Sequence, residues 1–235
     1  VHQFLNVSSF AEQLLVHETA AVKIDPQMPL DLASLIGCGV TTGMGAALNT
    51  AQIRPGQTVA VIGCGGIGLS AIQGARLSGA SRVIAVDLHR GKLDVASKVG
   101  ATDVVDASGG DAVEQIKELT SGGVDHSIEA VGSPATASSA LEMLAMGGTA
   151  TIVGLQPAGR TFPVQGRLLL DDRKLQGSYM GGQNFRVAMP MYVDMYLSGR
   201  LMLEEMVSSR IGLDGIEDAF RSMDEGSALR DIVVF

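Results

Sequence analysis

The 235-residue chain is 46% hydrophobic and 18% charged, with 30 glycines, 4% aromatics and no Trp. That composition excludes a disordered chain and suits an α/β fold with many tight turns. A net charge of -8 argues against a surface that holds a phosphate backbone, and the two cysteines, Cys38 and Cys64, make no disulfide framework.

The chain opens on Val in the segment V-H-Q-F-L-N, which has neither a helix cap nor a disordered composition, and it reads as part of a longer protein. Phe10 to Ile24 alternates apolar and polar residues and predicts antiparallel strand. Pro26 and Pro29 punctuate, and Leu30 to Thr50 predicts a helix of small residues. Two uncharged stretches, Leu32 to Ile53 and Pro55 to Ala75, raise the question of a membrane. Glycines and polar Thr, Asn or Gln interrupt both, so buried core is the expectation. No secretory signal is visible, and a reducing, cytoplasmic setting follows.

Thr58 to Asp87 forms an apolar strand, a glycine turn, a small-residue helix, a second apolar strand and a terminal carboxylate. That order predicts a dinucleotide-binding unit. Gly63 allows a tight turn, Gly65 lets backbone approach a pyrophosphate, and Gly68 lets the helix pack closely on the strand. The phosphates would sit on the helix N-terminus. Asp87 lies at the spacing where a carboxylate accepts hydrogen bonds from the adenosine ribose, and it would repel a phosphate there, so NAD is favoured over NADP.

Further signals keep the rhythm of a doubly wound sheet. Helices are expected over Arg90 to Val99, Asp111 to Leu119 and Ala135 to Leu144, the last closed by Gly147-Gly148. Strands are expected over Asp103 to Asp106, Val124 to Ala130, Thr149 to Gly154 and Lys174 to Met180, completing a six-stranded parallel Rossmann sheet. Val187 to Leu197 and Leu213 to Met223 predict helices, and Asp231 to Phe235 a final strand. The expected division is a piece of a second domain over 1–39, the cofactor domain over 40–182, and a return segment over 183–235.

The segments L-I-G-C-G-V-T-T-G-M-G-A-A-L-N-T-A, G-C-G-G-I-G-L-S-A-I, G-A-S-R-V-I-A-V-D, G-G-V-D-H-S-I-E-A-V-G and S-A-L-R-D-I-V-V-F carry a resemblance. The chain resembles the zinc-dependent alcohol dehydrogenases of the medium-chain dehydrogenase/reductase superfamily, nearest to the animal, plant and glutathione-dependent formaldehyde dehydrogenase branch. The likeness runs from end to end, and G-C-G-V-T-T-G is its most specific part. It implies that the flanks belong to an incomplete GroES-like catalytic domain, rich in β-structure.

The resemblance implies that Cys38 is one protein ligand of a catalytic zinc, whose other family ligands are absent from this sequence. A lone cysteine cannot hold that ion. It assigns Gly63, Gly65, Gly66, Ile67 and Gly68 to the pyrophosphate turn, with Ile67 and Thr42 against the nicotinamide. Asp87 and Lys92 go to the adenosine ribose and Arg230 to the pyrophosphate. Backbone groups of Val131, Val153, Leu155, Ser178 and Met180 go around the carboxamide, and Phe4, Leu5, Leu155 and Tyr179 line a substrate channel. Arg160 to Leu170 would carry a strand pairing two subunits of a homo-oligomer, a dimer in the simplest case.

The implied function is NAD-linked hydride transfer from a primary or secondary alcohol, giving aldehyde or ketone, by an intact enzyme of which this chain is a truncated, inactive part. The small-molecule alcohol or aldehyde is the expected partner, with neither nucleic acid nor membrane. Two alternatives stay open: a non-catalytic NAD-binding module, and a zinc-free quinone or enoyl reductase of the same superfamily.

Overall fold

The computed structural model describes residues 7–226 and 228–235. The chain divides into two compact units, residues 38–183 and residues 1–37 together with 184–235. Helical residues run from Leu30 to Thr50 as α1 (Leu30–Leu35), a π-helical turn (Ile36–Val40), α2 (Thr41–Gly45) and a second π-helical turn (Ala46–Thr50). By length and composition this run could cross a membrane, but 61% of its apolar window is buried. Thr41 and Thr42 are themselves buried, as befits a core helix.

The unit of residues 38–183 continues with β1 (Thr58–Ile62), α3 (Gly66–Leu77), β2 (Arg82–Asp87), α4 (Arg90–Lys98), β3 (Asp103–Asp106) and α5 (Ala112–Thr120). It ends with β4 (Val124–Glu129), α6 (Pro134–Glu142), β5 (Leu144–Ile152), α7 (Gly166–Leu170) and β6 (Lys174–Gly177). All five strand pairings are parallel, in the order β3-β2-β1-β4-β5-β6. This is the six-stranded doubly wound Rossmann sheet, whose order reverses between β1 and β4.

Both faces are covered at the centre of the sheet, so β1 and β2 are apolar and buried almost throughout. Ala60, Ile62, Ile84 and Val86 pack with Val113 and Ile116 of α5 and Ala140 and Leu141 of α6. Alternation sends Val59 and Val61 to the other face, where α3 lies so close that a Cβ on Gly68 would be 3.5 Å from Val61 Cγ1. Asp111 caps α5 by accepting the Val113 and Glu114 N–H groups, as the expected Asp cap requires.

Three elements of this unit differ from expectation. The Gly147-Gly148 pair does not close a helix but lies inside β5, which starts at Leu144, directly after the Met143 C-cap of α6. A register shift between Val124 and His126 accommodates the extra residues. The sixth strand stops at Gly177, since Met180 turns to φ +47 in a single 3₁₀ turn over Met180–Gly182. No strand forms over Arg160 to Leu170: residues 160–165 are irregular and Gly166–Leu170 is α7. A strand needs a ladder partner for its backbone groups, and that segment has none in the sheet.

The other unit holds α1 and, in the return segment, α8 (Phe185–Leu197), β7 (Ser209–Ile211), α9 (Ile216–Asp224) and β8 (Asp231–Val233). β7 and β8 pair in parallel, and Arg210 of β7 bonds the carboxylates of Asp31 in α1 (2.7 Å) and Glu204 (2.8 Å). The antiparallel strand expected over Phe10 to Ile24 is absent. Those residues hold one 3₁₀ turn, Glu18–Ala20, and among the described residues the only ladder of this unit is β7-β8. Alternation alone cannot make a strand without a partner.

Candidate functional site

A cavity of about 360 Å³ opens beyond the C-terminal ends of the sheet's central strands, at the reversal between β1 and β4. Its walls come from Ile62 at the end of β1 and Gly63 after it, Asp87 at the end of β2, Ala107 after β3, and Ala130 and Val131 after β4. The glycine turn sets the approach. Gly63 takes φ +90 and donates its N–H to Val86 O at 2.8 Å. A Cβ on Gly65 would meet nothing within 4 Å, so its backbone faces open space. A Cβ on Gly68 would lie 1.7 Å from Gly63 O, a distance no side chain tolerates.

Gly65 is the N-cap of α3 and supplies no side-chain cap, so amide groups of a twelve-residue helix are left for another acceptor. An anion is the natural one, because the helix dipole and the free N–H groups act in the same direction. Lys92 lines the same cavity and adds a positive charge.

Asp87 is already fixed by backbone. Its Oδ2 accepts the Cys64 N–H at 2.7 Å and its Oδ1 accepts the His89 N–H at 2.9 Å. Each carboxylate oxygen keeps further acceptor capacity, so a ligand hydroxyl can still bond to it. Cys64 beneath it is fully buried, and burial first, with the Asp87 carboxylate second, pushes its thiol far above the ordinary range. It stays an S–H, directed at Val86 O at 3.8 Å, and is a packing residue.

Gly63, Gly65, Asp87, Lys92 and Val131 all line this cavity, and Gly66, Ile67 and Gly68 form the first turn of α3 beside it. Thr42 Oγ1 donates to Met180 Sδ at 3.6 Å, and a Cβ on Gly43 would lie 2.1 Å from Ile67 O. Thr42, Ile67 and Met180 therefore gather where α2 meets α3. Ser178 bonds Thr50 through their hydroxyls (2.8 Å) and donates its N–H to Ile152 O. Val153 donates its N–H to Glu129 O, while Leu155 and Tyr179 are 92% and 88% exposed.

Arg230 belongs to the other unit, where it donates to Leu229 O at 3.4 Å and borders a small cavity with Phe10 and Phe220. Phe4 and Leu5 lie outside the described residues. Cys38 is an exposed free thiol in the first π-helical turn. Among the described residues no three His, Cys, Asp or Glu side chains gather as a metal site, so these residues do not by themselves fit a zinc ion.

Sequence reasoning missed Thr136, which lines the cavity, and the fully buried Glu129 behind it. The signal was present: a carboxylate at the last position of an otherwise buried strand, followed by A-V-G and by the helix start S-P-A-T.

Residues 66–194 match the model of a family described as zinc-binding dehydrogenase. The chain is 39% identical over 239 residues to the S-(hydroxymethyl)glutathione dehydrogenase of Saccharomyces cerevisiae, and 38% identical over 236 residues to an alcohol dehydrogenase class-3 of Zea mays. Each alignment covers 99% of this chain and 62% of the relative. Among solved structures, a benzyl alcohol dehydrogenase from Acinetobacter calcoaceticus superposes with a TM-score of 0.93 at 32% identity, over 98% of this chain and 64% of that one. An alcohol dehydrogenase zinc-binding domain protein from Burkholderia ambifaria does so with a TM-score of 0.93 at 33% identity, over 98% and 62%. The chain thus spans about 62% of the length of the curated relatives it matches.

Proposed function

The chain belongs to the zinc-binding dehydrogenase family, and on that premise we propose that it is the NAD-binding portion of an alcohol dehydrogenase. In the whole protein a primary or secondary alcohol would be converted to an aldehyde or ketone. The observation that carries this reading is the cavity at the strand reversal, with an uncapped helix N-terminus on one side and Asp87 on the other. Bound NAD would supply the hydride acceptor.

The chain's own residues bind and orient. N–H groups around Gly65 and Gly66 would take the pyrophosphate, with Lys92 adding charge. Asp87 would accept a ribose hydroxyl and repel a phosphate at the same place, which favours NAD over NADP. Thr42 and Met180 would face the nicotinamide, and Leu155 and Tyr179 the substrate. Arg230 as a phosphate ligand belongs to the same proposal and requires the 184–235 segment. Phe4 and Leu5 as substrate-channel residues belong to it too.

Cys38 is proposed as one ligand of the family's zinc, the others lying outside the described residues. The chain alone is therefore proposed to bind cofactor without oxidising alcohol. The alcohol class is supported by the names of the relatives above. A cytoplasmic homo-oligomer completes the proposal, supported by two free cysteines and by the exposed Leu169 and Leu170.

The test is a fluorescence titration of the chain with NADH and NADPH, followed by incubation with NAD and benzyl alcohol. The expected result is saturable NADH binding, NADPH weaker by about tenfold or more, and no steady NADH production. Absence of binding by either nucleotide overturns the cofactor assignment; steady turnover overturns the inactivity of the chain.

A further inference from the structure

Glu129 ends β4 and is fully buried, a position where a carboxylate is costly unless hydrogen bonds hold it. Its side chain is engaged on one oxygen. Oε1 accepts the Val131 N–H (2.9 Å), the Gly132 N–H (2.7 Å) and the Thr136 hydroxyl (2.7 Å). Its backbone carbonyl accepts the N–H groups of Val153 (2.9 Å) and Gly154 (3.0 Å). One residue thus fastens both the turn after β4 and the turn after β5.

The two turns are in contact through glycines. A Cβ on Gly154 would lie 2.1 Å from Gly132 N and 2.8 Å from Glu129 Oε2, and a Cβ on Gly132 would lie 2.5 Å from Leu155 O. Oε2 is buried and has no hydrogen-bond partner among the described residues. A second charge does not explain the carboxylate, since no cation among the described residues bonds to it. Its observed role is the triple acceptance at Oε1, which fixes the N–H groups of Val131 and Gly132 and the start of α6.

Glu129 does not line the cavity, whereas Val131 and Thr136, which it holds, both do. We propose that Glu129 is a positioning residue for the nicotinamide half of the cofactor, setting the backbone of Val131 and Gly132 through its Oε1 and that of Val153 through its carbonyl. This inference rests on the NAD reading above. The adenosine half has its own anchors, Asp87 and the glycine turn, which make no hydrogen bond to Glu129. The two halves of the ligand should therefore respond differently to the loss of this side chain.

The experiment compares ADP-ribose, which lacks the nicotinamide, with NADH on the chain and on Glu129→Ala, Glu129→Asp and Glu129→Gln. For Glu129→Ala the expectation is ADP-ribose affinity within about twofold and NADH affinity lowered about tenfold or more. Glu129→Gln keeps an acceptor oxygen and should return NADH affinity to within about threefold. Glu129→Asp withdraws the oxygens by one methylene and should lose about three- to tenfold; it decides the matter if the Ala variant fails to fold.

Equal loss of both ligands overturns the inference, because the residue would then be supporting the fold at large. Unchanged NADH affinity in Glu129→Ala overturns it, as does Glu129→Gln being as damaging as Glu129→Ala. A parent chain that binds neither ligand overturns the cofactor reading, and this inference with it. A parent chain that binds ADP-ribose as tightly as NADH overturns this inference alone.

Discussion

At the N-terminal ends of β1 and β4, Asp125 Oδ2 accepts both the N–H (2.7 Å) and the hydroxyl (2.9 Å) of Thr58, whose Oγ1 in turn accepts the Asp125 N–H (3.0 Å). At the C-terminal ends of the same strands, glycines replace side chains, a helix starts without a cap, and a cavity opens. The difference is one of where polar groups find their partners. One end satisfies its backbone inside the chain and contributes stability. The other leaves amides and a carboxylate with acceptor and donor capacity still free, which is the condition for binding a ligand.

Breaking the binding end should cost both function and fold. Gly68→Ala places a Cβ against Gly63 O, so helix or turn must move. NADH affinity should fall by tenfold or more, and overpacking should cost about 1–3 kcal/mol by chemical denaturation. Asp87→Ala should act more narrowly. It removes the ribose acceptor and the support of Cys64 and His89 N–H groups. About a tenfold loss in NADH affinity, with a smaller loss for NADPH, is the expected titration result.

Breaking the sealed end should do the reverse. Asp125→Ala strands the Thr58 N–H in a half-buried place, which should cost about 1–3 kcal/mol in a urea melt while leaving NADH affinity unchanged. A loss of NADH affinity comparable with that of Asp87→Ala would show that the two ends are coupled, and the contrast between them would fail.

The same contrast explains what could be read from residues alone. β1 and β2 are short apolar runs ended by glycine or Asp, and they stand where expected, as do β3 and β4, with the glycine turn and Asp87 in the cavity wall. These features are local. Phe10 to Ile24 fails as a strand because pairing depends on a partner that local alternation does not specify, and Arg160 to Leu170, expected from the resemblance rather than from alternation, holds a helix over Gly166–Leu170. Gly147-Gly148 misleads because the pair sits inside β5, where a register shift absorbs it. Glu129 was visible as a letter, but its role depends on two turns meeting across 25 residues, from Glu129 to Gly154.

The smallest effect sharpens the sealed end through pH. His126 is buried there, with Nε2 at 3.1 Å from Gln57 Oε1, an amide oxygen that can only accept. The ring proton therefore sits on Nε2, and Nδ1 is buried with no hydrogen-bond partner among the described residues. A second proton would have to sit on that nitrogen. Burial accordingly lowers the pKa of His126 below its ordinary value of 6.5, against the opposing pull of the Asp125 carboxylate. The unfolded chain then binds more protons than the folded one just below pH 6.5, so stability falls as pH drops through that window. Below the folded-state pKa the loss levels off. The slope from one site cannot exceed about 1.4 kcal/mol per pH unit. Melting temperature followed from pH 7.5 to 5 should show this decline, and His126→Gln should flatten it. Asp31 and Asp106, held low by Arg210 and Ser108 respectively, titrate below their ordinary 3.8 and do not enter that window. An unchanged slope in His126→Gln would mean that the proton is taken up elsewhere, and that the sealed end tolerates a charged ring.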